Sequence, residues 1–208
     1  MDPRMGAVDA VMFGVEDDPV LRSVIVMVAE LDGPPDEERL LFRVDRMTRM
    51  VPQLRQRAIG NPFSIAPPRW ETDPNFDLDY HIHNQLLPKK AAKHADLMAA
   101  LAHWAEQDFD RARPLWEMLI ITGLASGGSA VAIKIHHSIT DGVGGLQLAA
   151  AMLDMSADAG DPTDMPEGPT GDVADLADRI EQGTAYGVQS LLNDGVGAVR
   201  KARKRRPS

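Results

Sequence analysis

Val131-Ala132-Ile133-Lys134-Ile135-His136-His137-Ser138-Ile139-Thr140-Asp141-Gly142 joins an alternating apolar run to a compact polar cluster, and the fold and the chemistry are both read from it. Val131 to Ile135 alternate with the period of a strand, so parity sets His137 with Val131, Ile133 and Ile135, and His136 with Ala132 and Lys134. The second histidine is thus expected on the apolar side. Partial desolvation there favours the neutral imidazole and leaves one ring nitrogen free to accept a proton near neutral pH, which suits a general base. Asp141 follows His137 by four residues and can fix the ring or its loop, by hydrogen bonding or by pairing with an arginine, while Gly142 permits a tight turn. Spacing alone does not choose between these roles.

Other chemistries are open to the same residues. A buried histidine can simply bond a backbone carbonyl, and two histidines with an aspartate can ligate a metal. No other His, Asp or Glu cluster has ligand spacing, and the chain contains no cysteine. A Ser-His-Asp nucleophile is disfavoured, because no Gly-x-Ser-x-Gly elbow occurs and Ser138 shows no sign of activation.

Working outward, Trp116 to Leu124 and Ala130 to His136 read as two apolar strands around Ala125-Ser126-Gly127-Gly128, a hairpin that delivers the histidines. From Val143 a stripe of Leu146, Ala149, Ala150 and Leu153 predicts a helix behind the site, with Gly144 and Gly145 allowing close approach at its start. Upstream, Leu21 to Leu31 reads as a strand. After Gly33-Pro34-Pro35, Asp36 caps a helix to about Arg49 with Leu40, Val44, Met47 and Val51 inward. Gln53 to Ile59 is extended, prolines 62, 67 and 68 break a loop, and Tyr80 to Leu87 alternates as a further strand. Ala95 to Phe109 predicts a helix whose stripe Leu97, Leu101, Trp104, Ala105 and Phe109 is core, with His94 and His103 on its solvated face. The alternation of strands and helices gives a mixed α/β fold, without fixing strand order.

The chain has 208 residues, 44% of them hydrophobic, enough for one substantial core. Its net charge is −9, and six positive charges fall within the tail (Arg200, Lys201, Arg203, Lys204, Arg205 and Arg206), so the body before them is more acidic still. An acidic body without an aromatic and basic platform argues against nucleic acid, whereas the tail suits solvent or an anionic lipid surface. No apolar stretch approaches the ~20 residues of a spanning helix, and no secretory pattern opens the chain, so a cytoplasmic protein is expected. Residues 156–172, crowded with Pro, Gly, Asp and Thr, predict a linker. Val173, Leu176, Ile180, Val188, Leu191, Leu192 and Val199 then form a weak amphipathic helical stripe, interrupted by Gly183, Gly187, Gly195 and Gly197, which needs a docking surface.

His136-His137-x-x-x-Asp141-Gly142 resembles the signature of the acyl-coenzyme-A-dependent acyltransferase superfamily, which includes chloramphenicol acetyltransferases and peptide condensation domains. Two stretches narrow the resemblance: Trp70-Glu71-Thr72-Asp73-Pro74-Asn75-Phe76-Asp77-Leu78-Asp79-Tyr80-His81 and Phe109-Asp110-Arg111-Ala112-Arg113-Pro114-Leu115-Trp116-Glu117. Both are similar to the bacterial wax ester synthase and diacylglycerol acyltransferase family, as is Ala7-Val8-Asp9-Ala10-Val11-Met12-Phe13 to the opening of such proteins. The resemblance runs over residues 5–155 and implies one half of a chloramphenicol-acetyltransferase-like two-domain acyltransferase fold. Residues 1–155 would form the amino-terminal acyltransferase domain, 156–172 the linker and 173–208 an amphipathic helix and basic tail, with no second half recognised.

The activity it implies is transfer of a fatty acyl group from acyl-coenzyme A to a long-chain alcohol or diacylglycerol, with acyl-coenzyme A as co-substrate and no other cofactor. His137 would take the hydroxyl proton directly, without a covalent enzyme intermediate. Asp141 would tie its loop to an arginine, for which Arg22, Arg55 and Arg111 are candidates, and Gly142 would keep the approach open. His136 is expected either as a hydrogen-bonded support or as a direct participant, and Asn75, Pro114 and Trp116 as structural. The alternative is a noncatalytic or partner-dependent half that binds acyl-coenzyme A or lipid. In both cases the missing wall of the site would come from a carboxy-terminal-half partner or a second copy, with peripheral contact to a membrane or lipid droplet as a further expectation.

Overall fold

The computed structural model describes residues 4–16, 18–60, 66–88, 92–140 and 162–170, together with Leu148, Met152 and Gly160. Its centre is the predicted hairpin, β5 (Trp116–Thr122) and β6 (Ser129–His136), paired antiparallel with Trp116 opposite Ile135. The turn passes through Gly127 at φ +79°, where a side chain would be strained. Two further strands complete a mixed sheet of order β1-β6-β5-β4. β1 (Val24–Leu31) lies antiparallel to β6, with Val24 opposite His136, and β4 (Ile82–Leu86) lies parallel to β5. A separate antiparallel ribbon is formed by β2 (Gln56–Ile59) and β3 (Arg69–Thr72), of which β3 has no counterpart in the sequence reading.

Every residue of β6 is buried, so its alternation does not separate core from solvent. It separates large from small. Val131, Ile133 and Ile135 join Trp116, Met118 and Ile120 in the main core, with Val44 and Met47 of α2 (Glu37–Met50). Ala130 and Ala132 face the other way, with Leu119 and Ile121, beneath Leu97, Leu101 and Trp104 of α3 (His94–Ala105). Helices therefore cover both faces of the central strands, which is why β5 and β6 read as near-continuous apolar runs.

α2 begins where expected, with the Asp36 carboxylate accepting the Arg39 N–H at 3.1 Å. Its interior face is Arg43, Val44, Met47 and Thr48, while Leu40 and Val51 are only partly buried. The strand expected from Tyr80 starts two residues later, after a 3₁₀ turn over Asp79–His81, and that expected from Leu21 starts at Val24, after another at Pro19–Leu21. α3 stops at Ala105 rather than Phe109. The Gln107 N–H turns back to the Trp104 carbonyl at 3.1 Å, and the Lys134 ammonium of β6 takes the carbonyls of Trp104 and Gln107 at 3.4 and 3.2 Å.

α1 (Ala7–Val15), unassigned in the sequence reading, lays Ala10 and Phe13 on the main core. Within the stretch expected as a linker, residues 162–170 have no regular secondary structure and lie along α2. Arg46 pairs with Asp164 at 3.2 Å, and Arg49 donates to the Pro166 carbonyl at 3.4 Å. Behind the site only Leu148 and Met152 are described; both are helical, one turn apart and set against the main core. The expected stripe of Leu146, Ala149, Ala150 and Leu153 lies outside the described residues, as does the segment from Val173 to the basic tail. Among the described residues no helix is long and apolar enough to cross a membrane.

Candidate active site

The two histidines sit where β6 ends in the middle of the sheet, and both neighbouring chains clamp them through the backbone. His136 N–H donates to the Leu115 carbonyl at 3.0 Å, just before β5, and His137 N–H to the Ser23 carbonyl at 2.8 Å, just before β1. The chain then turns, with Ile139 N–H bonded to the His136 carbonyl at 3.0 Å and Thr140 N–H to that of His137 at 3.2 Å. Ile139 anchors the turn in the main core.

His136 is 1% exposed and both its ring nitrogens are engaged. Nδ1 accepts the Ser138 backbone N–H at 3.0 Å and lies 2.7 Å from the Ser138 hydroxyl, which assigns the ring proton to Nε2. Nε2 faces Glu16 Oε2 at 2.8 Å. The facing carboxylate favours the proton on Nε2. Glu16 is held in turn by the Ser23 N–H at 2.6 Å, with Arg111 at 4.0 Å. Phe13 and Phe109 stand edge-on to the ring at 5.7 and 6.3 Å. Burial pushes the pKa of His136 below the usual 6.5, and the Glu16 carboxylate opposes that shift without reversing it.

The expectation that the second histidine is the desolvated one needs correction. Strand parity ends at His136, and His137 stands in the turn with 35% of its side chain exposed. Its Nδ1 is nevertheless shielded from solvent and has no hydrogen-bond partner among the described residues, so the exposed surface lies on the rest of the ring, on the side that carries Nε2. Asp9 of α1 places Oδ1 3.7 Å from Nδ1.

A cavity of about 330 Å³ opens beside the motif, walled by Phe13, Glu16, Arg22, Phe109, Arg111 and His136. His137 is not part of its lining. Nearness to a cavity does not make His136 a proton acceptor, since neither of its nitrogens offers a free lone pair.

Asp141 and Gly142 lie outside the described residues. Of the three arginines considered for Asp141, Arg22 is bound to Asp108 at 2.6 Å and to the Glu106 carbonyl at 2.7 Å, and Arg55 to Asp45 and to Thr48 Oγ1. Arg111 is the one beside the histidine pair, its guanidinium 4.6 Å from the Phe13 ring centre.

The two other motifs interlock as a brace. Trp116 is fully buried, donates Nε1–H to the Leu54 carbonyl at 2.8 Å and stacks on His81 at 4.6 Å. His81 donates Nδ1–H to the Trp116 carbonyl at 2.8 Å, and burial lowers its pKa. Arg113 joins Asp73 at 3.4 Å and the Asn75 carbonyl, and Tyr80 donates to Asp110 at 3.2 Å. Asn75, Pro114 and Trp116 thus belong to the bracing of the strand next to the histidines. Sequence reasoning missed Glu16, Asp9 and His81. The first two act across distant parts of the chain, and only their place around α1, a helix without a strong polar pattern, could have raised them.

The model of the wax ester synthase/diacylglycerol acyltransferase catalytic domain matches residues 5–207, extending the sequence resemblance through the linker and the carboxy-terminal stretch. A Mycobacterium tuberculosis protein named as a diacylglycerol O-acyltransferase is 33% identical over 160 residues, covering 76% of this chain and 32% of the relative. Among solved structures, the wax ester synthase/diacylglycerol acyltransferase from Marinobacter aquaeolei VT8 superposes with a TM-score of 0.60 at 21% identity, over 99% of this chain and 48% of that one. The starter condensation domain of rhizomide synthetase follows with a TM-score of 0.58 at 15% identity, over 73% and 38%. The chain therefore spans about a third of the curated relative's length, and its fold is that of one part of these larger solved structures.

Proposed function

Since the chain belongs to the wax ester synthase/diacylglycerol acyltransferase family, we propose that it transfers a fatty acyl group from acyl-coenzyme A to the hydroxyl of a long-chain alcohol or diacylglycerol, with His137 as general base. The observation that carries this is the difference between two adjacent histidines. His136 spends both nitrogens on Ser138 and Glu16, whereas His137 has a clamped backbone and an exposed ring edge.

In the proposed reaction Nε2 of His137 accepts the hydroxyl proton as the alcohol oxygen attacks the thioester carbonyl. The tetrahedral intermediate then collapses, breaking the carbon–sulfur bond, and the coenzyme A thiolate leaves and recovers the proton from the imidazolium. No bond to the protein forms. General base catalysis of this kind contributes ~10²–10⁴-fold, and positioning the two substrates contributes separately. Arg111 and Glu16 act on the architecture of the loop, and Asp141 is assigned the same role.

A second reading, that this half binds acyl-coenzyme A or lipid and turns over only with a partner surface, is favoured by the outer face of α1. Val8, Val11 and Val15 are 68, 65 and 42% exposed, and Val20 and Leu21 continue the patch at 88 and 49%. The two readings separate on one experiment, in which palmitoyl coenzyme A and a long-chain alcohol or diacylglycerol are incubated with the purified chain and free coenzyme A and ester are measured. Turnover lost in His137→Ala supports the self-sufficient enzyme. A folded wild-type chain that is inactive alone, but active once a second half from a relative is added, supports the partner-dependent one.

A further inference from the structure

The Nδ1 atom of His137 is closed to solvent and lacks a hydrogen-bond partner although the ring is partly exposed. The carboxylate facing it, among the described residues, is Asp9, with Oδ1 at 3.7 Å. Asp9 is the acidic residue in the first turn of α1, and its Oδ2 occupies space left by the absent side chain of Gly6, where a Cβ would stand 3.0 Å away. α1 is fixed to the body by Ala10 and Phe13, and the peptide of His137 is fixed by Ser23 and Thr140. The two backbones are thereby held at a fixed separation.

We propose that Asp9 is the positioning residue of His137, holding the ring in the tautomer with its proton on Nδ1 and steadying the imidazolium that forms when Nε2 accepts a proton. The inference rests on the reading of His137 as the base. At 3.7 Å the pair is beyond hydrogen-bond length and within ion-pair range, a spacing common where catalytic contacts tighten only around substrate. A shielded N–H is lower in energy facing a carboxylate than facing apolar groups, so the proton belongs on Nδ1. The lone pair then lies on Nε2, at the exposed edge, where an alcohol can reach it.

The other charged groups nearby are arranged around the neighbouring ring. Glu16, at the end of α1, and Arg111, before β5, face His136, and Arg22, before β1, is turned to Asp108. Among the described residues, Asp9 is thus the acidic group directed at His137 itself.

The test is Asp9→Asn and Asp9→Glu, read by kcat, KM for the thioester and ¹⁵N spectra of the histidine ring nitrogens. Asp9→Asn is expected to lower kcat about tenfold with KM little changed, since the loss is in orientation of the base. Asp9→Glu should recover much of kcat, and the ring spectra should change from a single Nδ1–H tautomer in the wild type to a mixture in Asp9→Asn. If Asp9→Asn retains kcat and the tautomer, and differs only in melting temperature, Asp9 is a helix-capping residue and the inference fails. Full activity in His137→Ala beside an Asp9-dependent tautomer overturns the base assignment instead, and leaves the contact standing.

Discussion

Lys134 is the side chain on which the α3 face of the sheet depends, and replacing it gives the sharpest energetic test of the fold. Its side chain is wholly buried, and its three ammonium protons meet three acceptors: Glu117 Oε2 at 3.0 Å and the carbonyls of Gln107 and Trp104 at 3.2 and 3.4 Å. The head also lies 4.7 and 5.1 Å from the ring centres of Phe109 and Trp104. In Lys134→Met an unbranched stem remains, so packing is largely kept and the loss falls on the head group. Glu117, with 17% of its side chain exposed, would retain only the Trp104 Nε1–H at 3.2 Å, and two carbonyls at the end of α3 would lose a donor.

Breaking a buried ion pair from one side costs about 3–5 kcal/mol, and the partial exposure of Glu117 places this case near the lower end. Equilibrium unfolding in urea, followed by far-ultraviolet circular dichroism, should therefore show a loss of about 3 kcal/mol, a large share of a domain's usual stability. Lys134→Met/Glu117→Gln removes both charges and keeps an acceptor for Trp104, so the double variant should fall short of the summed single losses by about 1–3 kcal/mol. A single variant within about 1 kcal/mol of wild type, or an additive cycle, would refute the reasoning.

Two further outcomes follow from the geometry. Gly128→Ala puts a methyl group into the carbonyl oxygen of Leu31 at the start of β6 and should cost about 1–3 kcal/mol or more, whereas Gly33→Ala enters open space and should stay within about 1 kcal/mol; equal effects in thermal melts would contradict the tight approach of β1 to the hairpin. Acidification should destabilise the chain, because burial holds His81 and His136 below the usual 6.5 in the folded state while the unfolded chain takes up protons as pH falls through about 6.5, so stability declines from there down to the lowered folded pKa values, by at most about 1.4 kcal/mol per pH unit for each ring. Urea midpoints at pH 7.5, 6.5 and 5.5 check the sign, and a midpoint that rises on acidification would contradict it.

The hairpin was legible because apolar runs flank a double glycine, and the start of α2 because Asp36 precedes an amphipathic stripe. Parity also grouped Lys134 with Ala132, away from Ile133 and Ile135, yet its partner Glu117 is found only once β5 and β6 are set in register, with the two directly opposed. The end of α3 was overrun because Phe109 continues the apolar period while backbone carbonyls turning toward Lys134 stop the helix, a tertiary effect absent from local pattern. The parallel pairing of β4 with β5 carries no local signal. For the site, the motif singled out His136 and His137, but period-two parity was carried one residue too far. The strand ends at His136, so burial falls on that ring and the exposed edge on His137. Glu16 and Asp9 become neighbours of the motif only through the docking of α1.

The division of labour between the two histidines is tested most directly by measuring ester formation from palmitoyl coenzyme A and the urea midpoint together in His137→Ala and His136→Ala. The account predicts that His137→Ala loses ~10²–10⁴-fold in turnover with its midpoint near wild type, while His136→Ala, which strips Glu16 and Ser138 of their buried partner, shows a lowered midpoint. An His137→Ala protein that keeps turnover, beside a stable His136→Ala protein that has lost it, would contradict the assignment of the base.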